Sequence, residues 1–250
     1  MRRCDVDAVV IATHPVAHVP LTLEAIDAGF PVMLEKPAAL DMIGAERIRR
    51  AVEESGLAFL VNHQHLFAPA FEILRQVFIG HDRLSITAEA GGSGPHRDYS
   101  PLWDYGPHDV AMVLSLMQHR PSAIGAGCVP FGAGVMYSLA MTFAHGRATV
   151  SVTNGETRRR RRCYVQAGRR EGVYDESAKT PRLVINGKDI AVSEEPSLTA
   201  AIRAFVRGVD GNRCYRFGPR WAVDVCHVLS EADASIRGIT PPLRSSVHES

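Results

Sequence analysis

The chain has 250 residues, 46% of them hydrophobic, and 28 basic residues against 27 acidic ones leave a formal net charge of +1. That balance excludes a global electrostatic case for nucleic acid or an anionic membrane surface. Five scattered cysteines with no Cys-x-x-Cys pair exclude a disulfide framework or zinc ribbon, and no apolar run approaches the roughly 18 residues that span a bilayer.

In chain order, Met1-Arg2-Arg3 is basic, but Asp5 follows at once, which is unlike a signal peptide. A reducing, cytoplasmic setting is therefore expected. Ala8–Thr13 is a continuous run rich in β-branched residues, the pattern of a strand buried on both faces. Ala17–Ala28 has helical spacing and stops on Gly29. Pro31–Leu34 is a second strand, ended by Pro37. Asp41 caps a helix that runs to Ser55 before Gly56, and Ala58–Asn62 is a third strand. Short loops between alternating strands and helices predict parallel pairing with right-handed crossovers.

Beyond a helix at Ala68–Ile79 the texture changes. Leu84–Ala90 reads as a strand, and Pro101–Gln118 as a long helix interrupted at Gly106-Pro107. Strands follow at Met136–Phe143, Arg147–Thr153, Arg160–Ala167 and Leu183–Ile185, with a hairpin turn at Asn186-Gly187. Helices at Leu198–Val209 and Pro219–Ile236 close the pattern. The fold class expected is α/β plus α+β. Residues 1–63 would be a partial Rossmann domain carrying only its strands 4, 5 and 6. Residues 64–250 would be a substrate-binding and oligomerisation domain around a large, mostly antiparallel open sheet.

Lys36 stands at the C-terminal end of a parallel strand, where α/β sheets bind ligands. A cation there can stabilise an alkoxide while a nearby base takes the hydroxyl proton. Asp104 and His108 are four residues apart, so a helix would present both on one side. An imidazole titrating near neutrality suits the base, and a carboxylate one turn away can orient it or bind the same substrate.

Taken together, Asp7 through Thr13-His14-Pro15, Ala28-Gly29, Glu35-Lys36-Pro37, Phe67-Ala68-Pro69-Ala70, Asp104-Tyr105-Gly106-Pro107-His108 and the helix Trp221–Ile236 resemble the Gfo/Idh/MocA oxidoreductases. The resemblance spans nearly the whole chain. It implies an NAD or NADP cofactor, a sugar-like or polyol substrate, and a homo-oligomer formed through the C-terminal sheet. Carried over residue by residue, it implies Lys36, Asp104 and His108 as the catalytic group. Thr13, His14, Glu35 and Lys36 would contact the cofactor, and Asn62, His65, Asp104 and His108 the substrate. Where many relatives have an aspartate three residues past the histidine, Met112 stands here; Asp109 follows the histidine directly. A glycosidase that uses bound NAD transiently, and a non-catalytic binding or regulatory protein, are the alternatives this resemblance leaves.

His63, His65 and His108 lack the spacing of a metal motif, so no metal is expected. Alternation along a strand prevents Arg158–Arg162 from meeting one ligand together, so the run is expected to be a solvated edge or part of an oligomer face. Gly91-Gly92-Ser93-Gly94-Pro95 is expected to shape a substrate loop. No G-x-G-x-x-G occurs, and the expectation is of an N-terminally truncated dehydrogenase, cofactor-deficient as it stands, with Ala8–Thr13 left as an apolar edge.

Overall fold

The computed structural model describes residues 6–93, 98–178, 182–211 and 217–238. Met1–Asp5 and the Gly94-Pro95 part of the glycine-rich loop lie outside the described residues. Two sheets organise the fold. The first contains β1 (Val9–Ile11), β2 (Val32–Leu34) and β3 (Phe59–Val61), in that order and all parallel. α1 (His18–Asp27) connects β1 to β2, and α2 (Met42–Ser55) connects β2 to β3. Asp41 caps α2 by accepting from Gly44 N, and Gly56 ends it in the left-handed region at φ 64°. β2 and β3 are buried throughout. β1 is the edge strand, as expected for Ala8–Thr13, and its Val10 is 65% exposed, so the burial on both faces suggested by the apolar run alone is not found.

After β3, a short 3-10 turn, Gln64–Phe67, leads into α3 (Pro69–Phe78) and then β4 (Leu84–Gly91). α4 (Pro101–Asp104) and α5 (Gly106–Met117) follow as separate helices, broken at Tyr105, where one interrupted helix was expected. β5 (Ala123–Phe131), β6 (Gly134–Phe143), β7 (Gly146–Thr153), β8 (Arg160–Ala167), β9 (Arg170–Asp175), β10 (Leu183–Ile185) and β11 (Lys188–Asp189) complete the second sheet. Its order is β11-β10-β9-β8-β4-β7-β6-β5; β4 and β7 run parallel, and the other neighbours antiparallel. Asn186 and Gly187, both at positive φ, turn β10 into β11.

Alternation sends Ile86, Ala88 and Ala90 of β4, Val150 and Val152 of β7, and Cys163 and Val165 of β8 into one buried layer. α5, buried along its whole length, packs on β4 and β7. α6 (Ser197–Val209) covers the Gln64–Phe67 turn and β3. α7 (Pro219–Ile236) packs against α2 and β3 on one side and against α5 and β5 on the other. Cys226 of α7 donates to Ala39 O (3.5 Å), and its Leu229 fits against Gly106, where an added Cβ would sit only 3.1 Å from Leu229 Cδ2. This helix holds the C-terminal ends of the parallel strands beside α5.

Candidate active site

The ends of β1 and β2 are locked before any functional group is placed. His18, fully buried in α1, sets Nδ1 2.7 Å from Pro37 O and Nε2 3.0 Å from Thr13 O, tying the two strand ends together. Glu35 N donates to Ile11 O (2.8 Å), and the Glu35 carboxylate accepts from Asn62 Nδ2 (2.6 Å) and from Lys36 N (3.3 Å). Glu35 and Asn62 thus brace the strand ends against each other.

From this brace Lys36 reaches the second layer. Its Nζ donates to Asp104 O (2.5 Å) and Asp104 Oδ1 (3.0 Å), across a separation of 68 residues. Burial lowers the Lys36 pKa, and the Asp104 carboxylate opposes that shift. Asp104 ends α4 and His108 lies in the first turn of α5, so the single helix read from their spacing is replaced by two helices. Both residues nevertheless line one cleft of about 470 Å³ with Lys36 and His65. Gln64, Gly92, Ser93, Tyr105, Arg159 and Arg161 complete its walls.

The His108 ring meets His65 edge to face with centroids 4.6 Å apart, and meets His63 at 6.0 Å. Burial dominates all of their pKa values. His63 is lowered to about 3, with Lys36 adding to the effect; His65 and His108 are lowered well below the ordinary value, with Arg161 and other cations contributing. Near neutral pH all three rings are therefore uncharged and able to accept a proton. The Nδ1 atoms of His63, His65 and His108 and the Asn62 Oδ1 are buried without hydrogen-bond partners.

Arg159 and Arg161 both line the cleft, which the reading of Arg158–Arg162 as a solvated edge or part of an oligomer face missed. Arg161, only 5% exposed, donates from Nη1 to Asp109 Oδ2 (2.7 Å), whose residue is fully buried. The remainder of the run is split: Arg160 pairs with Glu89 and Glu156, and Arg162 with Asp175. Burial pushes the Asp109 carboxyl up to about 6, against the pull of Arg161. Asp109 therefore serves the arginine and does not orient His108, whose ring has no carboxylate partner among the described residues. Thr13 and His14 lie outside the cleft lining. The His14 Nε2 is 2.8 Å from Asp98 Oδ1, and its Nδ1 accepts from Val16 N, so both ring nitrogens are engaged.

Of Thr13, His14, Glu35 and Lys36, the residues expected to contact a cofactor, only Lys36 lines the cleft. The cleft's His65 and His108 keep buried Nδ1 atoms without hydrogen-bond partners, which fits a polar group such as a nicotinamide amide or a substrate hydroxyl. Among the described residues, no glycine-rich strand-to-helix turn offers the backbone N–H groups that hold a pyrophosphate.

Comparison with known proteins agrees with this fold. Residues 1–63 match the family described as "Oxidoreductase family, NAD-binding Rossmann fold" under the name GFO_IDH_MocA. A UDP-N-acetylglucosamine 3-dehydrogenase from Acidithiobacillus ferrooxidans is 29% identical over 129 residues, 50% of this chain and 41% of the relative. An inositol 2-dehydrogenase from Saccharopolyspora erythraea is 34% identical over 96 residues, 36% of this chain and 28% of the relative. The matched segments thus span less than half of these curated relatives. Among solved structures, an oxidoreductase from Magnetospirillum magnetotacticum is similar over 90% of this chain and 80% of its own, with 32% identity and a TM-score of 0.83. The Acidithiobacillus dehydrogenase structure shares the fold at 22% identity and a TM-score of 0.85, over 94% of this chain and 80% of its own. A parallel Rossmann-type layer, a large mixed sheet and these matches place the chain in the Gfo/Idh/MocA family of NAD-binding oxidoreductases.

Proposed function

We propose that this chain carries the catalytic half of an NAD(P)-dependent dehydrogenase acting on a hydroxyl or carbonyl group of a sugar or polyol. The observation that supports this reading most is the meeting of Lys36, from the end of β2, with Asp104 and His108 in one cleft. When bound, a nicotinamide ring supplies the carbon that takes or gives the hydride. Lys36 has three ammonium donors, and two go to Asp104, leaving one for a substrate oxygen. That contact strengthens as the oxygen gains negative charge. His108, kept neutral by burial, accepts the hydroxyl proton. Asp104 aims Lys36. The cleft's three cations, Lys36, Arg159 and Arg161, face Asp104, Asp109 and Glu176, and this balance suits an uncharged polyhydroxylated substrate. In the same reading, the open outer face of β5–β7 is where a second copy would pack, which light scattering checks.

The test is a screen of neutral sugars and polyols with NAD and NADP on the protein as it occurs, followed by His108→Asn and Lys36→Met. His108→Asn is expected to lower kcat by about 10²- to 10⁴-fold with little change in cofactor affinity. Full turnover by this variant would move the base to another group and overturn the assignment.

A further inference from the structure

Glu176 lies in the turn after β9, and its backbone N donates to Arg161 O (3.0 Å), which fixes it beside the cleft wall. Its side chain is 20% exposed. Oε1 stands 3.4 Å from His65 Nδ1, while Oε2 stands 3.6 Å from Arg159 Nη2 and 3.8 Å from Arg161 Nε. The His65 Nδ1 is buried and makes no hydrogen bond, so Glu176 Oε1 at 3.4 Å faces it as an ion-pair contact that a small side-chain movement closes. A neutral imidazole carries one N–H, and the carboxylate facing Nδ1 favours the tautomer with the proton there, leaving Nε2 as the acceptor. The His65 and His108 rings are in contact and line the same cleft. Among the described residues the His108 ring has no carboxylate of its own, since Asp109 turns to Arg161 and position 112 holds a buried methionine.

We infer that His65 and Glu176 form the route by which a proton taken up by His108 leaves the cleft, with Glu176 as the positioning residue that sets the tautomer of His65. The inference rests on the dehydrogenase reading for the source of that proton. The substrate O–H bond breaks and an N–H bond forms on His108, while the electron pair of the adjacent C–H bond leaves as hydride to the nicotinamide. The His108 proton then passes to Nε2 of His65 as Nδ1 releases its own proton to Glu176, which returns it to water. Carbonyl reduction runs the same route inward. Burial above all, and then the charges of Arg161, Arg159 and Lys36, disfavour a lasting imidazolium on His65. A proton therefore moves through His65 without being trapped.

The first arm needs neither substrate nor cofactor. Long-range ¹⁵N–¹H NMR of the chain is expected to show His65 protonated at Nδ1; protonation at Nε2 alone overturns the dyad. The second arm uses Glu176→Gln, on a turn where the shape is preserved. Turnover should fall at least about tenfold with KM unchanged and recover when formate or imidazole is added as a proton carrier. Unchanged turnover, or a loss that no buffer rescues, overturns the relay. Glu176→Asp, which keeps the carboxylate, should retain more activity than Gln; the reverse order also counts against it. If no sugar or polyol is turned over by the parent protein at millimolar NAD or NADP, supplied to offset weak cofactor binding, the dehydrogenase reading fails, and the dyad is decided by the NMR result.

Discussion

Arg161 and Asp109 compensate each other's removal from water, with side chains 6% and 0% exposed and 2.7 Å apart. Replacing Arg161 by Met strands the carboxylate, and by general experience with broken buried pairs the cost is about 3–5 kcal/mol. Urea unfolding checks this, and a loss below about 1 kcal/mol would mean that Glu176 or water takes over the compensation. Arg161 was concealed in its sequence by four neighbouring arginines. The signal was nevertheless present, because Arg161 is in phase with Cys163 and Val165, the inward residues of the strand. Its partner lies 52 residues away on another element, and nothing local announces it. Lys36 was legible for the opposite reason: a buried strand stopped by proline aims the preceding residue at the crevice. Glu176 stands in a turn with no pattern at all, so only the assembled sheet brings it to His65.

At the scale of elements, strands with strong alternation and helices with clear stops were legible, such as the helix between Asp41 and Gly56. β9 was not, because its sequence offers only Val173 and Tyr174 as large apolar residues and places glycine at an inward position. That glycine is a requirement of packing. A Cβ on Gly172 would lie 2.5 Å from Leu74 Cδ1 and 2.6 Å from Phe78 Cε2 of α3. Gly172→Val is therefore expected to destabilise by about 1–3 kcal/mol through overpacking. A thermal midpoint unchanged from the parent's would show that α3 can lift freely. The parallel pairing of β4 with β7 was also beyond a local reading, since it joins strands separated by four helix and strand elements, α4, α5, β5 and β6.

For the whole molecule, the buried histidines set the response to acid. His63 has a folded pKa of about 3 against an ordinary 6.5, so the unfolded chain binds its proton first as pH falls. The stability it contributes is complete above 6.5 and is lost below it at about 1.4 kcal/mol per pH unit. His65 and His108 act in the same direction. Asp109 opposes them: its folded pKa is raised to about 6, so its contribution is present below about 3.8 and disappears as pH rises through 6. One carboxyl does not balance three imidazoles, and urea midpoints should fall from pH 7 to pH 5. A flat profile would show that the rings reach water or charge without cost. Cofactor binding is also a property of the whole: with no G-x-G-x-x-G in the sequence, calorimetry of the 250-residue chain should detect no micromolar binding of NAD. The position of α7 also bears on how the fold is assembled. Its buried side presents Ala222, Val223, Cys226 and Leu229, and it covers α2, some 160 residues earlier in the chain, together with α5. During synthesis the parallel layer and then the large sheet leave the ribosome with apolar faces still bare, and the helix that covers both arrives after them. A nascent chain halted at residue 211 should therefore bind a hydrophobic dye and yield rapidly to protease, and release of α7 should end both.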